Sequence, residues 1–468
     1  MHGLIESARA ARSATPIVPV DGKSLARVAR ELGDGAASWI GASGFRAGAG
    51  KACLLPGARG KLRAVLVGVA SADDVFALST LPQSLPEGNY RLDARGIALD
   101  PARAALGWGL AAYRFTRYRK PARDPARLVV DRATLRAVTP QLDAVVQVRD
   151  LINTPTEDMG PAELAATIRD LARAHRASYR EFVGPQLLKA NFPAIHAVGR
   201  ASHRAPRLLE LNWGRAGDPR LVIVGKGVCF DSGGLDIKTD DGMRWMKKDM
   251  GGAAHAIALA GLVMQARLPV RLTLLVPAVE NAVAANAYRP GEVIRTRAGI
   301  TVEVDNTDAE GRLILCDALA YAVERRPDLV IDIATLTGAA KVALGPDLPA
   351  LFANQDALAD ALLEAGRREQ DPLWRLPLWA PYLSMLDSRV ADLVNCSTSR
   401  FGGAITAALF LQRFVPETTA WMHLDAYSWN DADRPGRPHG GEAQGLRALF
   451  AMLNERYAAR RDGARRRS

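Results

Sequence analysis

Near-continuous apolar runs that alternate with helix-like segments constrain the fold of this chain most strongly, from residue 205 onward. The runs LVIVGKGVCF, LTLLVPAV and LVIDIATL indicate strands buried on both faces, because a strand with one solvent-exposed face would alternate apolar and polar residues. Between them lie apolar segments of helical length such as GGAAHAIALAGLVMQA. This part of the chain is therefore predicted to be an α/β domain in which helices cover a mixed sheet.

The first 140 residues show a similar alternation on a smaller scale, with apolar runs such as AVLVGVA broken by Gly, Pro and Asp. A charged stretch with two prolines at 119–133 indicates the connection out of a first domain. We therefore expect a smaller N-terminal α/β domain over residues 1–140 and a larger α/β domain over residues 141–468. A chain of 468 residues is long enough for both domains to bury a core.

The charge of the chain is unevenly distributed. The 61 Lys and Arg residues outnumber the 50 Asp and Glu residues, which gives a net charge of +11. Residues 456–468 hold six arginines against one aspartate, so the remainder of the chain is only mildly basic. Nucleic-acid binding by this basic tail is an open alternative, but a solvated, disordered end is favoured because only Tyr457 could stack on a base.

Several protein classes are disfavoured by composition and spacing. No apolar run reaches the roughly 18 to 20 residues of a membrane span, and the first residues lack a signal-peptide core, so a cytoplasmic location without membrane contact is expected. The four cysteines stand far apart, which favours free thiols. The seven histidines lack HExxH spacing, which argues against a histidine-based zinc hydrolase, and His423 in the run WMHLD is interpreted as a hydrogen-bonded core residue.

Two polar windows follow predicted strands, at residues 224–252 and 306–312. Because sites in open α/β sheets collect at the carboxyl ends of strands, charged side chains from both windows are expected to converge. Four carboxylates in one cleft would repel one another unless cations were present, and hard oxygen ligands in that number suit one or two divalent metals. The converging residues are Lys226, Asp231, Lys238, Asp249, Asp308, Glu310 and Arg312.

Simpler interpretations of these windows are less well supported. The segment GKGVCFDSGG does not fit the phosphate-binding pattern GxxxxGK followed by Ser or Thr, so nucleotide binding is disfavoured. Each charged residue taken alone is more often a solvated surface charge. Only their joint occurrence argues for a metal site.

Taken together, the segments VGKG, FDSGG, MKKDMGGAA, NTDAEGR and ATLTGA resemble the leucine aminopeptidase family, the two-metal cytosolic aminopeptidases. Weaker agreement through WRLPLW and GGAITAALFL extends the resemblance over residues 140–450. The first 140 residues carry no motif that matches, although the family typically has a smaller α/β domain in that place. The resemblance implies a metallo-exopeptidase that hydrolyses the N-terminal residue from peptide substrates, and it also implies a homohexamer.

The resemblance further implies two metal sites that share two bridging carboxylates. Two divalent ions would supply +4 against −4 from the carboxylates; the ions would be zinc or manganese, with magnesium as an option in one site. Lys226 could ligate only as a free amine, and adjacent dications would drive its pKa well below about 10.4. The implied ligands are Lys226, Asp231, Asp249 and Glu310 for one ion and Asp231, Asp308 and Glu310 for the other.

By the same resemblance, Lys238 and Arg312 are the catalytic cations. Lys238 would act as an electrophile, a water bridging the metals would be the nucleophile, and a bicarbonate ion on Arg312 would shuttle the proton to the leaving amine. The implied substrate-binding residues are Met246, Thr335, Leu336 and Gly338, with Leu336 acting through its main chain.

One segment departs from the family pattern. HLDAYSWNDADRPGRPHGG stands where many relatives have HLDIAG followed by GxxGFG, and residues on the far side of the side-chain pocket come from this region. The preferred N-terminal residue of the substrate therefore stays open. A catalytically inactive interaction protein is a further alternative, but it is disfavoured because all seven metal and catalytic positions are filled.

Overall fold

The computed structural model describes the backbone of residues 2–465, and the side chains of Asp34 and of residues 458–465 lie outside the description. The chain divides into two compact units. The N-terminal unit comprises Met1–Val146 and Asp431–His439, and the larger unit comprises Gln147–Asn430 and Gly440–Ser468. A segment close to the end of the chain therefore belongs to the N-terminal unit.

The N-terminal unit is built on a sheet of six strands. The strands are β1 (Leu4–Ile5), β2 (Thr15–Val20), β3 (Ala52–Pro56), β4 (Leu62–Gly68), β5 (Asn89–Leu92) and β6 (Arg127–Val129). Its helices are α1 (Ala8–Ser13), α2 (Leu25–Glu31), α3 (Asp34–Ala42), α4 (Leu81–Ser84) and α5 (Pro101–Ala112). The spatial order is β1-β6-β5-β2-β4-β3, and only β3 is antiparallel to its neighbour. Apolar side chains of β2, β3 and β4 pack with those of α2 and α3 in one core.

The larger unit contains the remaining elements, and α6 (Arg132–Asn153) includes the boundary between the units. Its other helices are α7 (Pro161–His175), α8 (Pro185–Lys189), α9 (Pro193–Gly199), α10 (Asp240–Met243), α11 (Gly251–Gln265), α12 (Glu310–Val323), α13 (Gly338–Leu344), α14 (Asp356–Glu369), α15 (Gly403–Gln412) and α16 (Leu446–Arg465). Its strands are β7 (Ser178–Val183), β8 (Arg207–Trp213), β9 (Arg220–Gly225), β10 (Gly227–Asp231), β11 (Arg271–Asn281), β12 (Val293–Arg295), β13 (Thr301–Glu303), β14 (Leu329–Ala334), β15 (Ala350–Ala353), β16 (Trp374–Arg375), β17 (Leu393–Val394), β18 (Trp421–Asp425), β19 (Trp429–Asn430) and β20 (Gly440–Gly441).

Nine of these strands form the main sheet, in the order β16-β15-β18-β14-β9-β11-β8-β7 with β10 paired to β11. The central strands β18, β14, β9 and β11 are parallel, whereas β8 runs antiparallel to β11 and β7, and β15 runs antiparallel to β18. The predicted mixed sheet is thereby confirmed. Its parallel centre brings the carboxyl ends of β9 and β14 to the same edge, and the polar window 224–252 begins at the end of β9. The window 306–312 instead follows β13, which belongs to the small sheet β12-β13-β17.

Helices cover both faces of the central strands. Val222 and Val224 of β9 belong to a core cluster with α9, α12 and α15, whereas Gly225 faces α11 on the opposite side. Helix α11 packs very closely, because a Cβ on Gly252 would lie 2.1 Å from the carbonyl oxygen of Ile333. This close approach fixes the start of α11 against β14, beside the functional site.

Three further expectations concern other parts of the chain. No helix in residues 2–465 is long and apolar enough to cross a membrane. The four cysteines are free, as predicted. Helix α16 is described as far as Arg465. The side chains after Tyr457 and residues 466–468 lie outside the description, so the expected disorder of the tail at 456–468 stays a prediction.

Candidate metal centre and active site

The two polar windows converge at the edge of the main sheet. Lys226 directly follows β9, Asp231 ends β10, and Asp249 lies in the 3-10 turn Met246–Met250 that precedes α11. Asp308 and Glu310 lie at the start of α12, and one carboxylate oxygen from each of Asp231, Asp308 and Glu310 lies within 4.8 Å of the others. The structure thus brings together the five side chains that the sequence analysis selected as metal ligands.

Lys226 lies between two of these carboxylates. Its Nζ is 2.8 Å from Asp249 Oδ2 and 2.9 Å from Glu310 Oε1, and it donates a hydrogen bond of 2.8 Å to the carbonyl oxygen of Thr335. The side chain is almost completely buried. It fits there because residue 311 is glycine: a Cβ at Gly311 would lie 2.6 Å from Lys226 Cε.

Lys238 occupies the other side of the cluster. Its Nζ is 2.9 Å from Asp231 Oδ2 and also contacts Asp308 Oδ1. The side chain is 16% exposed, in contrast to 3% for that of Lys226, so Lys238 faces the more open side of the cluster. An ammonium group in this position can reach both the metal ligands and a substrate.

Hydrogen bonds from neutral residues hold the carboxylates in place. Asn281 Nδ2 and the backbone N–H of Gly233 donate to Asp231 Oδ1 at 2.8 and 2.9 Å, and Thr335 Oγ1 donates to Asp249 Oδ1 at 2.7 Å. Asn281 ends β11 and was missed by the sequence analysis, because an asparagine after an apolar strand gives no signal that distinguishes support of a carboxylate from an ordinary turn. Such supporting contacts orient metal ligands.

Arg312 lies on α12, half a turn beyond Glu310. Its Nη1 donates to the carbonyl oxygen of Asn395 at 2.7 Å, while its buried Nε has no hydrogen-bond partner among the residues that the structure describes. The amide of Asn395 in turn accepts from the backbone N–H groups of Asp305 and Asn306. Asn395 was also missed from the sequence. The guanidinium is thus fixed at one end and retains an unused donor, as an anion-binding group would.

The electrostatics of the cluster show an excess of negative charge. Burial and the neighbouring Asp231 raise the pKa of Glu310 well above its ordinary value, and the same two causes raise the pKa of Asp308 to about 6. Burial opposes the charged form of Lys226, but the carboxylates of Asp249, Glu310 and Asp231 outweigh it and raise its pKa. Divalent cations would reverse this balance, since they favour the ionised carboxylates and the free amine.

The donor set therefore fits divalent metals. Four carboxylates face only two ammonium groups in a largely buried cluster, so the residues alone leave like charges uncompensated. Hard oxygen donors in this number are typical ligands of divalent cations, and zinc and manganese also accept nitrogen.

The residues expected at the substrate lie beside this cluster. The Thr335 hydroxyl group donates a hydrogen bond to Asp249 Oδ1, and the backbone N–H of the next residue, Leu336, donates to Asp425 Oδ1 at 2.8 Å. Gly338 begins α13, is exposed, and has open space where a Cβ would stand. Met246 begins the 3-10 turn that carries Asp249. Met246 and Thr335 are thus linked directly to Asp249, one through the shared turn and the other through a hydrogen bond.

Family models match nearly the whole chain. The model described as the cytosol aminopeptidase family, catalytic domain, matches residues 146–450, and the model of the M17 aminopeptidase N-terminal domain matches residues 16–131. This chain belongs to the M17 cytosol aminopeptidase family. The resemblance inferred from the motifs is confirmed, and the enzyme is a hydrolase of a metal-dependent family. The match at residues 16–131 identifies the N-terminal domain, for which the sequence analysis found no motif.

Individual relatives agree with the family assignment. A probable cytosol aminopeptidase of Syntrophotalea carbinolica is 41% identical over 78% of this chain and 79% of its own length. The crystal structure of the cytosol aminopeptidase from Coxiella burnetii superimposes with a TM-score of 0.94 at 49% identity, covering 98% of this M17 aminopeptidase and all of that chain. The bottromycin maturation enzyme BotP, solved in complex with Mn, has a TM-score of 0.84 at 34% identity over 95% of this chain and 99% of its own.

Proposed function

We propose that this M17 aminopeptidase removes the N-terminal residue from unblocked peptides with the help of two divalent metal ions. The convergence of five potential ligands in one buried cluster carries this proposal. Asp231 and Glu310 would bridge the ions, since each lies close to the ligands of both sites. The ligands would be Lys226, Asp231, Asp249 and Glu310 for one ion and Asp231, Asp308 and Glu310 for the other.

Zinc or manganese would occupy these sites, and magnesium could replace the ion in one of them. When bound, the two ions would supply Lewis acidity toward the scissile carbonyl group and lower the pKa of the attacking water. The manganese complex of BotP, a relative at 34% identity, supports manganese as one of the candidates. Asp249, held by Thr335, would receive the free α-amine of the substrate.

Lys238 would stabilise the negative charge that develops on the substrate oxygen. Its ammonium contacts Asp231 and Asp308, so it is held at the edge of the cluster, and its partial exposure leaves room for a ligand. Burial opposes its charge, but Asp231, Glu310 and Asp308 raise its pKa above the ordinary value, which keeps the ammonium protonated. A fixed cation in a partly buried site stabilises an oxyanion more than water would.

Arg312 would hold a bicarbonate ion that accepts the proton of the attacking water and passes it to the leaving amine. The buried Nε without a partner supports this role, because a carbonate oxygen could accept its hydrogen bond. The contact between Nη1 and Asn395 would keep the guanidinium in the required orientation. No histidine or free carboxylate among the catalytic candidates offers an alternative base.

We further infer a cytoplasmic homohexamer. The relatives named cytosol aminopeptidase support the location, and the hexamer rests on the family resemblance alone. Light scattering of the full chain would test the assembly: a mass of six chains is expected, and a 50.2 kDa monomer at all working concentrations would contradict it.

Paired peptides that differ only in N-terminal acetylation test the proposed reaction. With manganese added, the free peptide should be hydrolysed and release its first amino acid, whereas the acetylated peptide should not react because its amine can no longer bind. Treatment with a chelator should abolish the reaction with the free peptide. Equal rates on both peptides, or full activity after chelation, would overturn the proposal.

A further inference from the structure

Two lysines outside the metal centre place their ammonium groups against one aromatic ring. Lys248 Nζ lies 4.5 Å and Lys341 Nζ 3.7 Å from the centroid of the Tyr427 ring. Cations are attracted to aromatic faces, but such contacts do not neutralise their charge. The ammonium groups of Lys248 and Lys341 therefore lie at one ring, that of Tyr427.

Lys248 is the more unusual of the two. Its residue is only 6% exposed, yet its ammonium group makes no hydrogen bond or ion pair with any residue in the described part of the chain. Burying an ammonium group without a partner is costly, so the position calls for an anion that the chain itself does not provide.

The nearest carboxylates are already engaged. Asp249 contacts Lys226 through one oxygen and Thr335 through the other. Asp425 accepts hydrogen bonds from the backbone N–H groups of Leu336 and Thr337 and from the Thr337 hydroxyl group. Both carboxylates are thus held by other donors, and neither forms a hydrogen bond or ion pair with the Lys248 ammonium group.

The location of this charge matches the proposed pocket for the substrate side chain. Lys248 lies two residues after Met246 in the same 3-10 turn, and Lys341 lies three residues after Gly338 on α13, on the same face of that helix. Tyr427 belongs to the segment that departs from the family pattern, and the family resemblance implies that this segment lines the far side of the pocket.

We infer that Lys248 and Lys341 bind the side-chain carboxylate of the substrate, so that the enzyme prefers peptides with an N-terminal aspartate or glutamate. This inference rests on the proposed aminopeptidase function. A carboxylate offers two oxygens with about four acceptor sites and can take hydrogen bonds from both ammonium groups, which an aliphatic side chain cannot. The carboxylate of the bound side chain would be the negatively charged partner that the Lys248 ammonium group lacks within the chain.

Aminoacyl anilides of glutamate and glutamine test this preference at neutral pH. The two side chains are nearly isosteric and differ in charge, and an anilide has no C-terminal carboxylate that could bind the lysines instead. We expect kcat/KM to be at least about 10-fold higher for the glutamate anilide, because the carboxylate of glutamate forms charge-assisted hydrogen bonds with the lysines, whereas the amide of glutamine accepts only a weaker hydrogen bond as a neutral group. A leucine anilide reports the peptidase reaction independently of side-chain charge.

Three variants test which lysines cause the preference for glutamate. In Lys248→Met and Lys341→Met the ratio of kcat/KM for glutamate to that for glutamine should fall toward one. The control Lys189→Met removes an exposed lysine at the end of α8, has the same net charge as the other variants, and should keep the wild-type ratio. If Lys248→Met does not fold, Lys341→Met still decides the assignment, because Lys341 is only partly buried.

Each outcome is informative. If none of the anilides is hydrolysed in the presence of manganese, the proposed function fails together with the preference. Hydrolysis with a glutamate-to-glutamine ratio at or below one overturns the preference and leaves the aminopeptidase function intact. A high ratio that survives in the folded lysine variants overturns the assignment to Lys248 and Lys341.

Discussion

Two of the places where the larger unit buries charged side chains differ, because only one of them balances its charges within the chain. At the balanced place, Asp332 of β14 accepts from Trp421 Nε1 at 2.6 Å and lies 2.5 Å from His423 Nδ1, and both of these residues are on β18. Phe352 and Trp421 stack on the imidazole. The Asp332 carboxylate thus contacts one basic group, the His423 imidazole, and one neutral donor, the Trp421 indole N–H, and all three side chains are almost completely buried.

The metal centre is the unbalanced place. Its four carboxylates exceed the two lysines that contact them, and burial with mutual repulsion raises the pKa of Glu310 and Asp308. The comparison teaches that buried charge by itself does not indicate a site. A pair that is neutral within the chain serves the fold, whereas uncompensated like charge points to a ligand that the chain does not contain. Substitutions in the two places should therefore have opposite effects on activity and stability.

The largest effect on activity is expected for Glu310→Gln. This change removes a bridging carboxylate, so we expect turnover to fall by at least about 10³-fold, more than for loss of one oxyanion donor. Stability of the metal-free protein should not fall, because the raised pKa shows that a neutral side chain is already tolerated at this position. Steady-state kinetics and chemical unfolding measure the two quantities. A variant with near-normal turnover would contradict the unbalanced-charge account.

Lys238→Ala should lower turnover by about 10² to 10³-fold, the usual loss when a donor to a developing oxyanion is removed. Because Lys238 is not among the proposed ligands, the metal content of the variant should stay at the wild-type level. Elemental analysis of the purified variant, next to its kinetics, separates the two roles. Normal turnover would show that Lys238 is not the electrophile, and loss of metal would show that it supports the ligands.

Asp332→Asn should have the smallest effect on turnover and a clear effect on stability. We expect the free energy of unfolding to fall by about 1.5 to 3 kcal/mol, because buried hydrogen bonds to a charged group are weakened. Turnover per folded molecule should remain within about twofold, a change of well under 1 kcal/mol in the barrier. Loss of turnover without loss of stability would break the contrast between the two places.

The pH dependence of stability provides a check on that variant. Burial opposes the charged form of His423, but Asp332 outweighs it and raises the pKa of the imidazole above 6.5. A raised pKa in the folded state stabilises the protein fully below the unfolded value of about 6.5, and the contribution disappears as pH rises through the folded value. The stability difference between wild type and Asp332→Asn should therefore shrink with rising pH in the metal-free protein. A difference that grows with pH would contradict the ion pair.

The sequence allowed prediction of the parts that local patterns encode. The apolar strands predicted the mixed sheet, and the residue types in 224–252 and 306–312 identified the carboxylate cluster before its geometry was known. His423 was interpreted as a hydrogen-bonded core residue, and its contact with Asp332 confirms this. The residues within each window are close in sequence, and Lys226 and Asp231 lie at the carboxyl ends of strands of the main sheet, where a general rule of sheet topology places functional sites.

Contacts between distant segments could not be predicted in this way. Lys248 of the turn Met246–Met250 and Lys341 of α13 meet at Tyr427, which lies between β18 and β19, and no local pattern links three such positions. The supporting contacts of Asn281 and Asn395 arise in the same manner. The inclusion of Asp431–His439 in the N-terminal unit likewise depends on packing over a long sequence separation.

The metal content of the wild type and of Glu310→Gln tests the central claim most directly. After loading with manganese and removal of unbound metal, elemental analysis should find two divalent ions per wild-type chain and fewer than two per chain of the variant. This result would show that the unbalanced carboxylates hold the metals. No bound metal in the wild type, or two ions per chain in both proteins, would contradict the account.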